Sequence, residues 1–545
     1  MGKSSFVKGA AILGVAGLLV KFLGAAFQIP LGNMIHDTGM AYYGPAYYVY
    51  TLFLIISTSA LPVAISRMVS ERAAVGDYAE AHRVFRVAVV LMAAIGVVSF
   101  VIVSSASGWF ARMMGYEQAQ LALLAISPAL IIVPIMAAYR GYFQGLQNMK
   151  PTAVSQVMEQ VFRVIVGLAL AYYLFNNAKI DGIFANFNKY GQGAAGGTFG
   201  ATAGSIAGLL VVVLIYAASK KAIRKRIKQT KDTVRQSAKS IMATMLKIAI
   251  PITIGASIMP IMNILDAVII KNRLVSAGYT SVQATSLYGQ LSGFVSPLIN
   301  FPQVLTAALA MSLVPFISAA WKRKDTYQLT TNTALAVRIA LIVGLPCAFG
   351  LAVLSKPIML LLFSYGDEAG AMSAAPTLAV MAFGVIFLSI TQTVTGILQG
   401  VNKQSVPVKN LAIGVLIKVG LTWVLTGIYV LNVRGAALAT VITYAVVSVL
   451  DIKATRKYTN VKFDWNLTLA RPLIATLVMT AAAFVVYALV SQIIDLRVAC
   501  VIAILIAVIV YAVMLFVTKS ITREECATMP GGNKLVGIID SFSRK

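Results

Sequence analysis

The feature that most constrains this chain is a run of about 20 apolar residues that recurs, stretch after stretch, along nearly its whole length. Twenty residues of α-helix rise about 30 Å, the thickness of a bilayer's hydrocarbon core. In that solvent every backbone N–H and C=O needs an internal partner, and helices supply one. Charged residues are 12% of the 545, against roughly 25% in soluble domains, so the surface of several soluble domains could not be covered. The chain therefore reads as an all-α integral membrane protein with about fourteen transmembrane helices. They fall near 7–32, 45–68, 84–107, 119–143, 152–175, 197–219, 242–270, 285–318, 333–355, 373–399, 407–430, 435–452, 470–492 and 497–518. Lys3 and Lys8 ahead of the first run suggest a secretory leader, but the run is too long for one and reads as a retained helix.

The net charge of +27 sits in linkers, not on a face for nucleic acid. Arg67, Arg72, Arg83 and Arg86 follow the second run, Lys322–Lys324 the eighth, and Lys453, Arg456 and Lys457 the twelfth. The densest linker, after the sixth, carries Lys220, Lys221, Arg224, Lys225, Arg226, Lys228, Lys231, Arg235 and Lys239. Linkers on the other side, such as 33–44, are poor in Lys and Arg. By the positive-inside rule both termini are cytoplasmic. The 217–241 stretch is a solvated tether that fixes topology, or a surface attracted to anionic membrane lipids. Three dispersed cysteines and two histidines leave little material for a metal site or a nucleophile–histidine pair.

The chain repeats itself. Gly141-Tyr-Phe-Gln144-Gly145 and Gly396-Ile-Leu-Gln399-Gly400 end the fourth and tenth runs, and Pro151 and Pro407 open the next ones. At the same offset Arg163 matches Lys418; later, Gly200-Ala-Thr-Ala and Gly435-Ala-Ala-Leu-Ala-Thr open runs six and twelve. Ordered matches of this kind indicate duplication, and an even-numbered repeat keeps the same orientation in both copies. The expected organisation is a six-helix lobe at 1–219, a basic cytoplasmic linker at 220–241, a second six-helix lobe at 242–455, two additional helices at 456–519 and a cytoplasmic tail at 520–545. Two facing bundles of this kind suit alternating access to a central cavity.

Polar residues within the runs mark candidate sites, because each costs free energy in lipid unless it meets a partner or water. Thr152, Gln156, Glu159, Gln160 and Arg163 form one helical stripe in run five. It reads either as a structural Glu159–Arg163 pair at i, i+4 or as a cavity wall for an anionic, sugar-bearing headgroup. Lys21 and Gln28 share a face of run one, where Gly14, Gly17 and Gly24 permit close helix approach or bending; Lys21 meets phosphate or pairs with Glu159. Asn263 and Asp266, beyond Pro260, form a candidate site for Na⁺ or a proton, the alternative being an Asp266–Lys418 bridge. Asn300 and Gln303 stand among prolines in run eight, and Gln392 and Gln399 share a face of run ten. Arg67 and Arg140, near cytoplasmic helix ends, either snorkel to the interface or gate a phosphate.

ALPVAISRMVSE, RGYFQGLQNMKPTAVSQVMEQVFRV and LTAALAMSLVPFIS together resemble the polysaccharide-transporter branch of the multidrug/oligosaccharidyl-lipid/polysaccharide (MOP) exporter superfamily, in its stage V sporulation protein B and MurJ-like lipid II flippase group. The resemblance implies a flippase, not an enzyme, in a bacterial plasma membrane. It would turn an undecaprenyl-diphosphate-linked cell-wall precursor from the inner to the outer leaflet, with the last two helices grooved for the lipid tail and the cell-wall synthesis machinery as partner. Lys21 stands where that pattern has an arginine, while Gln290 and Phe27 stand near two others. No cofactor is implied, and no Walker-type loop is present, so the energy source would be Na⁺, H⁺, the membrane potential or product consumption. A drug/cation antiporter of the same superfamily and a non-transporting scaffold are the alternatives.

Overall fold

A computed structural model describes residues 3–178, 181–229 and 236–520. Part of the basic linker, with Lys231 and Arg235, and the tail beyond Ser520, with Cys526, lie outside the described residues. Every element among the described residues is helical. The chain divides into two compact units, 1–297 with 365–370, and 298–364 with 371–545. The expected lobes meet at the basic linker, whereas this division falls at Pro297.

The first unit holds α1 (Lys3–Thr58), α2 (Leu61–Ala74), α3 (Tyr78–Ser105), α4 (Ser107–Met113), α5 (Ala119–Ile126), α6 (Ala129–Gly145), α7 (Lys150–Asn176), α8 (Lys189–Lys228), α9 (Ala238–Ser276) and α10 (Ser281–Gly289). Side chains cap several of these helices: Asp77 accepts from the Glu80 N–H at the start of α3, and Asn188 from Gly191 at the start of α8. Leu61, Ile65, Phe85, Met92, Tyr142 and Met245 form a core shared by α2, α3, α6 and α9. The second unit holds α11 (Ser296–Arg323), α12 (Thr326–Val353), α13 (Ser355–Phe363), α14 (Glu368–Ala382), α15 (Gly384–Gly400), α16 (Ser405–Thr426), α17 (Asn432–Thr459), α18 (Arg471–Val490) and α19 (Leu496–Val517). Its core joins Ile317, Val337, Leu341, Ile397 and Leu398 from α11, α12 and α15.

Eleven described stretches are long and apolar enough to cross a membrane, or twelve if the 45° bent pair α14–α15 counts as one. Leu505, Val508 and Ile509 of α19 and Val97, Val98 and Val101 of α3 point outward, as helices solvated by lipid require. Two expected spans merge here. A single stretch, Leu13–Ala74, covers runs one and two, and the 33–44 linker is helix, not loop. A straight helix with the 56 residues of α1 would reach about 84 Å, nearly three hydrocarbon thicknesses. Instead α1 kinks at His36, which takes the left-handed φ of 59°. The expected run at 285–318 is α10, a π-helical turn over Gln290–Val295, and α11 with Pro302 and Pro315 inside it.

The repeated glycine motifs do equivalent jobs in each unit. Gly141 and Gly145 of α6 lie against Pro62, Ile65 and Val69 of α2, as Gly400 of α15 lies against Ile317 of α11. Gly200 of α8 seats on Arg163 and Gly167 of α7, as Gly435 of α17 seats on Leu425 of α16. The α7–α8 seam is tight: a Cβ at Gly204 would stand 2.4 Å from the Glu159 carbonyl oxygen and 3.0 Å from the Arg163 Cβ. By contrast Gly14 and Gly17 meet no described atom within 4 Å, while Gly24 lies against the Gln160 side chain of α7. Gly204→Val is thus expected to cost about 1–3 kcal/mol and lower the melting temperature in detergent. Gly17→Ala should leave it unchanged; equal melting of both variants would mean the seam yields freely.

Candidate substrate-binding site

The α7 stripe is assembled in the first unit, with one exchange of partners. Glu159 does not pair with Arg163. Its Oε2 accepts from Arg140 Nη2 of α6 at 2.8 Å, and Arg140 Nε donates to Ser155 Oγ at 2.8 Å. The i, i+4 expectation gives way because α6 packs close enough to deliver a guanidinium sideways. In this structure Arg140 neutralises the stripe's acid. Nor does Lys21 pair with Glu159: its side chain is exposed. Arg67 makes an exposed 2.8 Å bridge to Glu71 on its own helix.

With Glu159 taken, Arg163 has no described carboxylate in salt-bridge range. It rests on aromatic residues of α1 instead. Nη1 donates to Tyr47 Oη at 3.1 Å and Nη2 to Tyr43 Oη at 3.0 Å. The guanidinium carbon lies 4.9 Å from the Tyr47 ring centre and 5.6 Å from that of Phe27. Tyr43 and Tyr47 are themselves stacked, 5.8 Å apart and inclined by 8°. Cation–π attraction and two hydroxyls therefore fix a positive charge without cancelling it. Phe27, which stands near an arginine of the family pattern, here serves as a face for Arg163.

Two donors on this wall are buried and unused. Arg163 Nε and Gln160 Nε2 have no hydrogen-bond acceptor, and they belong to side chains at i, i+3 on α7. Gln160 is 6% exposed and its amide nitrogen faces Gly24 of α1, 3.4 Å from where a Cβ would stand. An uncancelled guanidinium beside a free amide donor is the arrangement an anion with several oxygens would satisfy. Gln28 and Gln156 are half-buried on the same two helices.

Asn263 and Asp266 lie half-buried on α9 in this unit. Asn300 and Gln399 are exposed, and Gln303, Gln392 and Lys418 half-buried, in the second unit. Asp37 was hidden from sequence reasoning by its place in the presumed 33–44 loop. It is 7% exposed and follows the α1 kink. It accepts from Gln290 Nε2 at 3.0 Å, from Thr38 Oγ1 at 3.1 Å and from Ser286 Oγ. Gln290, where the family pattern suggested a headgroup contact, is thus committed to Asp37. The missed signal is the spacing of Tyr43, Tyr47 and Tyr50 at i, i+4, i+7, which reads helix, not loop.

Comparison with known proteins places this architecture. The family model described as "Polysaccharide biosynthesis protein" matches residues 6–321, and the one described as MatE matches 251–424. The chain belongs to the polysaccharide biosynthesis protein family. Within the MOP superfamily it stands in the polysaccharide, MurJ-like branch, among transporters and not enzymes. The Bacillus subtilis (strain 168) lipid II flippase MurJ is 28% identical, with 81% of this chain and 80% of that protein covered. Stage V sporulation protein B of the same organism is 28% identical, covering 84% and 85%. A solved structure of lipid II flippase MurJ in an inward closed conformation superposes with a TM-score of 0.67 at 17% identity, covering 93% of this chain and 98% of that one. An inward-facing MATE-family multidrug transporter gives 0.66 at 15%, covering 81% and 94%. The family's fold is thus that of a multi-pass membrane transporter.

Proposed function

We propose that this chain is a flippase for a polyprenyl-diphosphate-linked saccharide, lipid II or a related cell-wall precursor, moving it from the inner to the outer leaflet of a bacterial plasma membrane. Both termini lie in the cytoplasm on this reading, as the basic linkers require. The observation that carries it is Arg163: a cation inside a transmembrane bundle, held by tyrosine hydroxyls and ring faces, with its Nε and the neighbouring Gln160 Nε2 unoccupied. A diphosphate offers these donors negative oxygens, and sugar hydroxyls match the amides of Gln28 and Gln156. The relatives' names, a lipid II flippase and a sporulation protein, agree with a cell-wall lipid as cargo. Asp266 with Asn263 is the candidate for coupling to Na⁺ or H⁺. An exporter of organic cations would need a free carboxylate on this wall, and Glu159 is paired with Arg140.

The test is transport by purified protein in liposomes. A fluorescent undecaprenyl-diphosphate disaccharide should change leaflet in a protein-dependent way, while a fluorescent phosphatidylcholine should not. Failure to move any polyprenyl-diphosphate saccharide would overturn the flippase reading. Growth of cells depleted of their lipid II flippase, when supplied with this chain, separates lipid II from other saccharide cargoes.

A further inference from the structure

A second candidate site lies beside the turn that precedes α7, entirely in the first unit and separate from the Arg163 wall. A cavity of about 350 Å³ is enclosed by the last turn of α6 and the residues after it, the first residue of α3, and the final turns of α8. Its polar lining is Tyr78, Tyr142, Gln147, Asn148, Ser219 and Arg226. Leu146, Ile223 and Ile227 supply an apolar wall.

The cavity is a consequence of local structure. Gln147 takes a left-handed φ of 59°, closing the α6–α7 turn with Asn148 N–H donating to the Phe143 carbonyl at 2.9 Å. That turn brings Gln147 and Asn148 beside α8. Tyr142, 2% exposed, is fixed as a floor by Phe85 stacked at 4.5 Å and by His82 at 5.8 Å. Arg226 is held at the rim over the Tyr78 ring, 5.6 Å from its centre.

The described end of α8 is strongly basic. No acidic residue occurs in α8, and six of its last nine residues are Lys or Arg, at 220, 221, 224, 225, 226 and 228. Two buried acids stand at the start of α3: Asp77 caps the Glu80 N–H, and Glu80 accepts from the Gln236 N–H at 3.2 Å. The lining begins at Ser219, where the apolar part of α8 ends, so the cavity sits at the level of lipid headgroups on the basic side. It combines a cation, amide and hydroxyl groups, and an apolar wall. A soluble phosphate compound uses the first three; an amphiphile uses all four.

We propose that this cavity binds the phosphate and glycerol of an anionic phospholipid of the inner leaflet. The proposal is independent of which cargo the protein moves. It differs from general attraction of a basic helix to a charged membrane, because it assigns Arg226 a role that neighbouring cations off the cavity do not share.

The experiment is native mass spectrometry of the delipidated full-length protein, titrated with phosphatidylglycerol, with phosphatidylcholine of the same chains, and with glycerol 3-phosphate. Wild type should retain phosphatidylglycerol at least fivefold better than phosphatidylcholine. Arg226→Ala should lower that retention about fivefold, while Lys225→Ala, outside the cavity, stays within twofold. Asn148→Leu, at an exposed turn position, should also weaken retention, and melting curves establish that each variant is folded. Equal losses for Arg226→Ala and Lys225→Ala would replace the site with diffuse attraction. Preferential retention of glycerol 3-phosphate would assign the cavity to a soluble ligand, and no preference for phosphatidylglycerol would remove it altogether.

Discussion

Replacing Arg163 by alanine should cut protein-dependent flipping of a polyprenyl-diphosphate saccharide by roughly 10–100-fold. A charge-assisted hydrogen bond contributes about 1.5–3 kcal/mol, and each 1.4 kcal/mol is tenfold. The loss should fall on transport, because the residues that hold Arg163 survive its removal: Tyr43 and Tyr47 stay stacked on each other. Arg163→Lys separates charge from geometry. An ammonium keeps the positive charge but has neither the planar face that lies on Phe27 and Tyr47 nor an Nε in the same place. It should restore transport only partly. Gln160→Leu, which removes the neighbouring donor, should give a smaller loss of the same kind. Wild-type transport by a folded Arg163→Ala protein would reduce the residue to a packing role.

Replacing Glu159 by alanine should instead be felt in stability. Its partner Arg140 has a side chain only 12% exposed, so the substitution leaves a guanidinium with Ser155 as its remaining partner. Breaking a fully buried pair costs about 3–5 kcal/mol; with Glu159 itself 28% exposed, about 2–4 kcal/mol is expected here. In melting in detergent this corresponds to a fall of about 2–6 °C. Glu71→Ala, which breaks the exposed bridge to Arg67, should shift melting by no more than about 1 °C. The combination Arg140→Met with Glu159→Met should recover most of the loss, since no charge is then stranded. A Glu159→Ala protein that melts like wild type would show that Arg140 finds water or another acceptor at no cost.

Sequence and structure agree where a single physical rule dominates. Runs of about 20 apolar residues give the helical class and most span positions, because lipid leaves the backbone no alternative. The glycine motifs were legible as a repeat, and Gly200 and Gly435 make equivalent helix seams. Disagreement begins where a local rule competes with a tertiary neighbour. Glu159 and Arg163 have the right spacing to pair, yet α6 presents Arg140 to Glu159 and α1 presents tyrosines to Arg163. Spacing along one helix carries no record of what the next helix offers. The 33–44 segment was counted as a linker poor in Lys and Arg, which concealed Asp37 and placed Tyr43 outside the bundle. Helical periodicity among the tyrosines was the better signal.

The length of α8 has a further consequence. Its 40 unbroken residues amount to a rod of about 60 Å, locked by glycine contacts to the backbone of Glu159 and Arg163 at mid-length and ending in the cationic turns around Arg226. A stiff rod transmits angle: a tilt of a few degrees at the seam becomes a displacement of ångströms at its tip. Whatever grips the tip therefore has leverage over the wall that holds the guanidinium, and a lipid in the proposed cavity would have a mechanical route to the proposed substrate wall.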